Sequence, residues 1–119
     1  MSFPILAEVN SWECGKFEGA TIITHDGTFL GELIPRWESD SIFNDSSEHS
    51  TTWSSNSIFN SSNDYGNSYS SDSVFNESAS TPPRIISEEG KEIGKLSIGP
   101  SWDSTRYDPH DIKYNCDWD

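Results

Sequence analysis

The chain has 119 residues, 32% of them hydrophobic, and a formal net charge of −13, enough for one modest core under an acid-rich surface. Seven Lys/Arg against twenty Asp/Glu argue against direct nucleic-acid binding, which needs cations to replace phosphate counterions, and favour a basic protein surface or a cation as partner. Fifteen aromatics (five Trp, four Tyr, six Phe) oppose the disorder that the polar composition would otherwise imply.

In chain order, the start from Met1 to Val9 has no basic region followed by a long apolar run, so it does not read as a secretion signal. No segment approaches the roughly 18 apolar residues of a membrane span. These features predict a protein without a membrane anchor, located in the cytoplasm. Cys14 and Cys116 lie near opposite ends without CxxC spacing, which disfavours zinc. In a reducing cytoplasm they are expected as free thiols; in an oxidising compartment they could pair.

A first hairpin is predicted over 20–34, where Ile22-Ile23 is followed by Asp26-Gly27 and then Leu30-Gly31. Asp-Gly suits a two-residue type I′ turn, which would set Ile23 opposite Leu30 and Gly31 opposite Ile22. Residues 37–80 then carry three copies of a sixteen-residue unit, opened by Trp37, Trp53 and Tyr69. Each copy reads aromatic, x, Ser, Asp/Asn, Ser, Ile/Val, Phe, Asn. A fixed period with aromatics in register points to an array whose rings are shielded from solvent. Phe43, Phe59 and Phe75 are expected to be structural, together with the opening aromatics. The Asp/Asn residues at 40, 56 and 72 suit Asx turns, and Asn44, Asn60 and Asn76 tolerate a left-handed reversal. Two pictures stay open: strands stacked as a solenoid-like array, or loops wrapped over the hairpins.

A second hairpin is predicted over 84–98. Its Ile85-Ile86, Glu89-Gly90 and Ile93-Gly94 align without a gap on the first hairpin at an offset of 63. Gly31 and Gly94 would each leave room for a large side chain. Pro82-Pro83 enters this hairpin and Pro100 ends it. The tail over 101–119 is polar, with one short helical turn conceivable near Asp108-Pro109. The fold expected is therefore a single all-β domain over 1–119, two hairpins flanking a three-copy repeat, with a small sheet and much irregular structure.

The succession Ser57-Ile-Phe-Asn60, Tyr65-Gly66, Tyr69-Ser70, Ser73-Val-Phe-Asn76 and Pro82-Pro83-x-Ile85 resembles a group of small bacterial proteins. Their repeats run Ser-x-Phe/Trp-Asn-x-Tyr-Gly-x-Tyr-Gly-Ser-x-Tyr-Ser before a Pro-Pro strand. The likeness spans roughly residues 22–98 and implies a defined fold. It implies no activity.

Three function classes were weighed. His25, His49 and His110 accompany no nucleophile elbow or zinc-protease motif, and the serines have no base at fixed spacing, so the chain reads as no enzyme, with no cofactor. The acids Glu38, Asp40, Asp45, Glu48, Asp64, Asp72 and Glu77 lie among Asn and Ser oxygens, but without EF-hand spacing, so no metal site is assigned. Between 37 and 80 there is no Lys or Arg against those seven acids. That stretch is the expected partner-binding surface, directed at a basic protein. The function expected is inhibition, of the immunity or anti-defence type in bacteria or phage. The alternative is a calcium-stabilised surface or assembly repeat protein.

Overall fold

A five-stranded mixed sheet, with little helix, organises the chain; its computed structural model describes residues 14–44, 46–55, 57–99, 103 and 105–116. Strands β1 (Ala20–Ile23), β2 (Phe29–Leu33), β3 (Arg84–Ile86), β4 (Glu92–Leu96) and β5 (Arg106–Tyr107) lie in the order β2-β1-β3-β4-β5. Both predicted hairpins are present, β1 with β2 and β3 with β4. They join through their first strands, Ile22 directly opposite Ile85. Because these are equivalent residues of the two copies, the centre of the sheet has a local pseudo-two-fold.

The turns differ from the two-residue loop expected. Thr24 pairs with Thr28 across three loop residues: Gly27 N–H donates to Thr24 C=O at 3.1 Å, and Thr24 N–H to Thr28 C=O at 2.9 Å. The second hairpin repeats this at Ser87, Gly90 and Lys91. A type I turn followed by one left-handed residue needs positive φ only at its last position. Gly27 and Gly90 supply it, at φ 96° and 88°, so Asp26 and Glu89 need not. The longer loop shifts the register. Ile23 pairs with Phe29 rather than Leu30, and Ile86 with Glu92 rather than Ile93. A β-bulge in each hairpin absorbs the extra residue, after which Gly31 opposite Ile22 and Gly94 opposite Ile85 stand as expected.

Each glycine is covered. A Cβ on Gly31 would lie 2.8 Å from Ile42 and 3.0 Å from His49, and one on Gly94 would lie 2.6 Å from the Tyr107 ring. The covering residues follow equivalent edge contacts. Ser41 bridges Glu32 on the free edge of β2, and Arg106 pairs with Lys95 on the free edge of β4, both in parallel. Edge strands that would otherwise leave unpaired amides are thus capped on both sides.

The first repeat therefore starts on the sheet. Beyond Ser41 the repeat segment has no strand among its described residues, so the paired-strand picture is corrected to a succession of turns. Backbone N–H groups of Ser41, Asn44, Ser47 and Thr51 donate to the carbonyls of Glu38, Ser41, Asn44 and Ser47. The bonds of Ser57, Asn60, Asn63 and Asn67 to Ser54, Ser57, Asn60 and Asn63 repeat that set sixteen residues later. Steps of three residues, with one of four at Ser47–Thr51 and Asn63–Asn67, account for a period of sixteen.

Side chains complete each turn. Ser41, Ser57 and Ser73 Oγ each accept the N–H of the following Phe at 3.0 Å. Asn44, Asn60 and Asn76 donate through Nδ2 to the carbonyls of Glu38, Ser54 and Ser70. Their Oδ1 atoms accept the N–H of Ser46, Ser62 and Ser78 at 2.9 Å. The Asx turns thus fall on these asparagines rather than at 40 and 72, residue 56 lying outside the described residues, because both ends of the amide meet backbone groups there, as they also do at Asn63.

Of the Ile/Val-Phe pair, the branched residue goes fully inside. Ile42, Ile58 and Val74 are buried in one core with Phe17, Ile22, Leu30, Leu33, Ile85, Leu96 and Ile112. Phe43 is also buried, while Phe59 and Phe75 are half-buried, with ring centroids 5.7 Å apart. Trp37, Trp53 and Tyr69 are 73%, 78% and 92% exposed, so the opening rings are not shielded as expected.

Two short helices add to the strands: α1 (Cys14–Phe17) and α2 (Pro109–Cys116). Asp108 caps α2, accepting His110 N–H on Oδ1 at 2.8 Å, and Pro109 fits the first helical position. Cys14 and Cys116 are joined in a disulfide, not free as expected, because the sheet brings α1 and α2 together. Arg106, buried beside β4, donates to the carbonyls of Ala79 and Gly99 at 2.8 and 2.7 Å and to Asp103 at 2.9 Å. It ties the end of the third repeat to the sheet.

Ile58→Ala is expected to lower stability by about 2–5 kcal/mol, while Trp53→Ala changes it by less than about 0.5 kcal/mol, as read by urea denaturation. Reducing a disulfide that spans 102 residues should lower stability by about 4–5 kcal/mol, checked by the same denaturation with and without reductant.

Candidate functional site: an acidic face at the β2 edge

Where the first repeat meets β2, the backbone draws several carboxylates together. Glu32 N–H donates to Asp40 C=O at 2.8 Å, and Ile42 N–H to Glu32 C=O at 3.1 Å. This bridge sets Asp40 beside Glu32, with Glu38 two residues away. Burial holds the Glu32 carboxyl above the usual glutamate range, and the negative charges of Asp40, Glu38 and Glu88 push it further the same way.

The neighbouring turn adds Glu48 and His49. His49 is 5% exposed. Its Cβ packs over the space left by Gly31, and its ring meets Phe29 edge-on at 5.1 Å. Nε2 lies 3.9 Å from both Asp40 and Glu48, whose side chains remain 55% and 65% exposed, and Nδ1 is buried with no hydrogen-bond partner. The imidazole forms the floor of the acidic face. Sequence reasoning left His49 in a spacer without a role; the bare Gly31 was the signal that something large had to lie over it.

The remaining predicted acids take other positions. Asp64 and Glu77 are exposed, the Cβ of Glu77 lying against Gly99. Asp72 is half-buried and accepts the Thr81 hydroxyl at 2.5 Å. Asp45 lies outside the described residues. The structure thus brings Glu38, Asp40 and Glu88 to bear on Glu32, a residue the sequence did not single out, sets Glu48 beside His49, and leaves Asp64, Asp72 and Glu77 apart from them. Among the described residues no three His, Cys, Asp or Glu side chains converge in a way that could hold a metal ion.

A separate cavity of about 260 Å³ opens between the first two repeats and α2, lined by Phe43, Ser50, Thr52, Phe59, His110 and Lys113. None of the predicted acids lines it. His25 stands in the first hairpin loop and His110 on α2, so the three histidines occupy three separate places. Among the described residues no helix is long and apolar enough to cross a membrane.

The raised Glu32 carboxyl has a definite sign in stability. Its folded form resists ionisation, so the penalty is absent in acid, accrues as pH rises through the ordinary glutamate range, and is complete above the raised value. Glu32→Gln should therefore raise the melting temperature at pH 7 and give no gain near pH 3, as read by calorimetry at the two pH values. Comparisons with protein-family models, curated proteins and solved structures returned no match to this chain.

Proposed function

We propose that this protein is a non-catalytic binder that uses its carboxylate surface to occupy a basic face of another protein, as an inhibitor of the immunity or anti-defence kind. The observation that supports it most is the crowding of carboxylates at the β2 edge, Glu38 and Asp40 beside a partly buried Glu32 whose ionisation is opposed first by burial and then by these neighbours, with Glu48 close by on His49. Such a surface carries uncompensated negative charge on a backbone fixed by the β2 edge. A basic partner would relieve that repulsion, and association would gain both speed and specificity from the complementary fields.

The repeat, on this reading, acts as a scaffold. Its turns are satisfied by its own Ser and Asn side chains, leaving Glu38, Asp40 and Glu48 exposed. Inhibition then consists of covering a cationic groove, with no bond made or broken in the target.

The disulfide bears on where this happens. A Cys14–Cys116 link persists in oxidising surroundings, whereas the cytoplasmic location expected from the sequence would require function with both thiols reduced.

The test is a capture from host lysate with the wild-type protein and with a Glu38→Lys, Asp40→Lys, Glu48→Lys variant, read by mass spectrometry. The expected result is a basic protein retained by the wild type and lost at least about tenfold by the variant, whose melting is unchanged or raised. Equal retention of the same proteins by both forms, or no basic protein among those retained, would overturn the proposal.

A further inference from the structure

Most positions of the sixteen-residue unit have a structural reason. The Ile/Val position enters the core, and Ser and Asn close the turns. The opening aromatic has none of these duties. Trp37, Trp53 and Tyr69 project into solvent, and among the described residues none of the three rings packs on another aromatic. Other exposed positions of the unit hold serine or acids, for example Ser39, Ser55 and Ser71. One exposed ring would call for no explanation, but a large ring kept at the same exposed step in all three copies points to a contact role.

The charge around the rings selects the occupant. Glu38 and Asp40 follow Trp37 closely, Asp72 follows Tyr69, and no Lys or Arg occurs from 37 to 80. Rings present a negative π face and carboxylates a full negative charge, so both elements attract the same group. Arginine fits best, because its planar guanidinium can stack on an indole or phenol while its edge donates two hydrogen bonds to a carboxylate. An ammonium group gains the charge attraction but little of the stacking.

We infer that Trp37, Trp53 and Tyr69 are contact points for an arginine-bearing segment of the partner, its guanidinium groups stacked on the exposed rings and attracted by the carboxylates that follow Trp37 and Tyr69 in the chain. This rests on the reading of the protein as a binder of a basic surface, and it names the side chain recognised.

The test uses the full chain with fluorescein-labelled nona-arginine and nona-lysine peptides, read by anisotropy at low and at physiological salt. Wild type should prefer the arginine peptide by about fivefold or more. A Trp37→Ala, Trp53→Ala, Tyr69→Ala variant should lose about tenfold in arginine-peptide affinity while its lysine-peptide affinity stays within about twofold. The matching triple Phe variant, which keeps a weaker π face, should recover part of the loss. Circular dichroism of both variants should match the wild type, since the rings are exposed. If the Ala variant binds both peptides as the wild type does, the contact role of the rings is overturned and the acidic reading stands. Should the wild type bind neither peptide, both fall. If a neutral oligosaccharide such as cellohexaose binds the wild type and not the Ala variant, with peptide binding unaffected, the rings serve a glycan and this assignment is wrong.

Discussion

A segment of some forty residues with almost no β-ladder must still satisfy its buried amides and carbonyls, and this obligation shapes the molecule. Unpaired backbone groups away from water each forfeit a hydrogen bond's worth of free energy. Here the obligation is met locally. Turns closed at three- or four-residue steps bond backbone to backbone, serine hydroxyls take the next free amides, and asparagine side chains reach six residues back. The richness in Ser and Asn, which by composition alone suggests a solvated linker, is the means by which this backbone leaves water. It also explains why so few apolar residues suffice: one branched side chain per copy, Ile42, Ile58 or Val74, anchors the turns to the sheet's core.

The sheet depends on the same principle at its edges. Two hairpins related by a local pseudo-two-fold would leave β2 and β4 open on their outer sides. One edge is taken by the start of the first repeat at Ser41, the other by Arg106 and Tyr107 of the tail. In each case the next side chain lies over a glycine, Ile42 over Gly31 and Tyr107 over Gly94. Glycine is required at both places because a Cβ would collide with the covering group, and at Gly31 also because φ is 125°. Arg106 then links sheet, tail and third repeat through buried carbonyls, an arrangement in which one guanidinium satisfies several acceptors that water cannot reach.

Charge is distributed according to these constraints. Inside, Arg106 is bonded to Asp103, whereas the buried His49 leaves Nδ1 without a hydrogen-bond partner. Outside, carboxylates accumulate where the first repeat crosses the β2 edge, and there burial, followed by the charges of Asp40, Glu38 and Glu88, opposes ionisation of Glu32. A concentrated acidic surface of this kind presents a stronger field to a cationic group than a dilute one would.

Hairpin positions, the space over Gly31 and Gly94, the period of sixteen and a helical turn near Asp108-Pro109 were legible in the sequence, because each depends on residues close together in the chain; that the turn opens an eight-residue helix was not. The turn type differed because Asp-Gly and Glu-Gly serve both the two-residue loop and the three-residue loop with a bulge, and the dipeptide alone does not distinguish them. The acids at 38, 40 and 48 could be singled out by the missing Lys and Arg around them. The approach of Glu38 and Asp40 to Glu32 could not, since it follows from a bridge between β2 and the repeat. Likewise the pairing of Cys14 with Cys116, the place of β5, and the exposure of Trp37, Trp53 and Tyr69 were decided only by tertiary structure. Local patterns fix which backbone groups can bond within a few residues; which faces are covered depends on segments whose meeting no short-range spacing encodes.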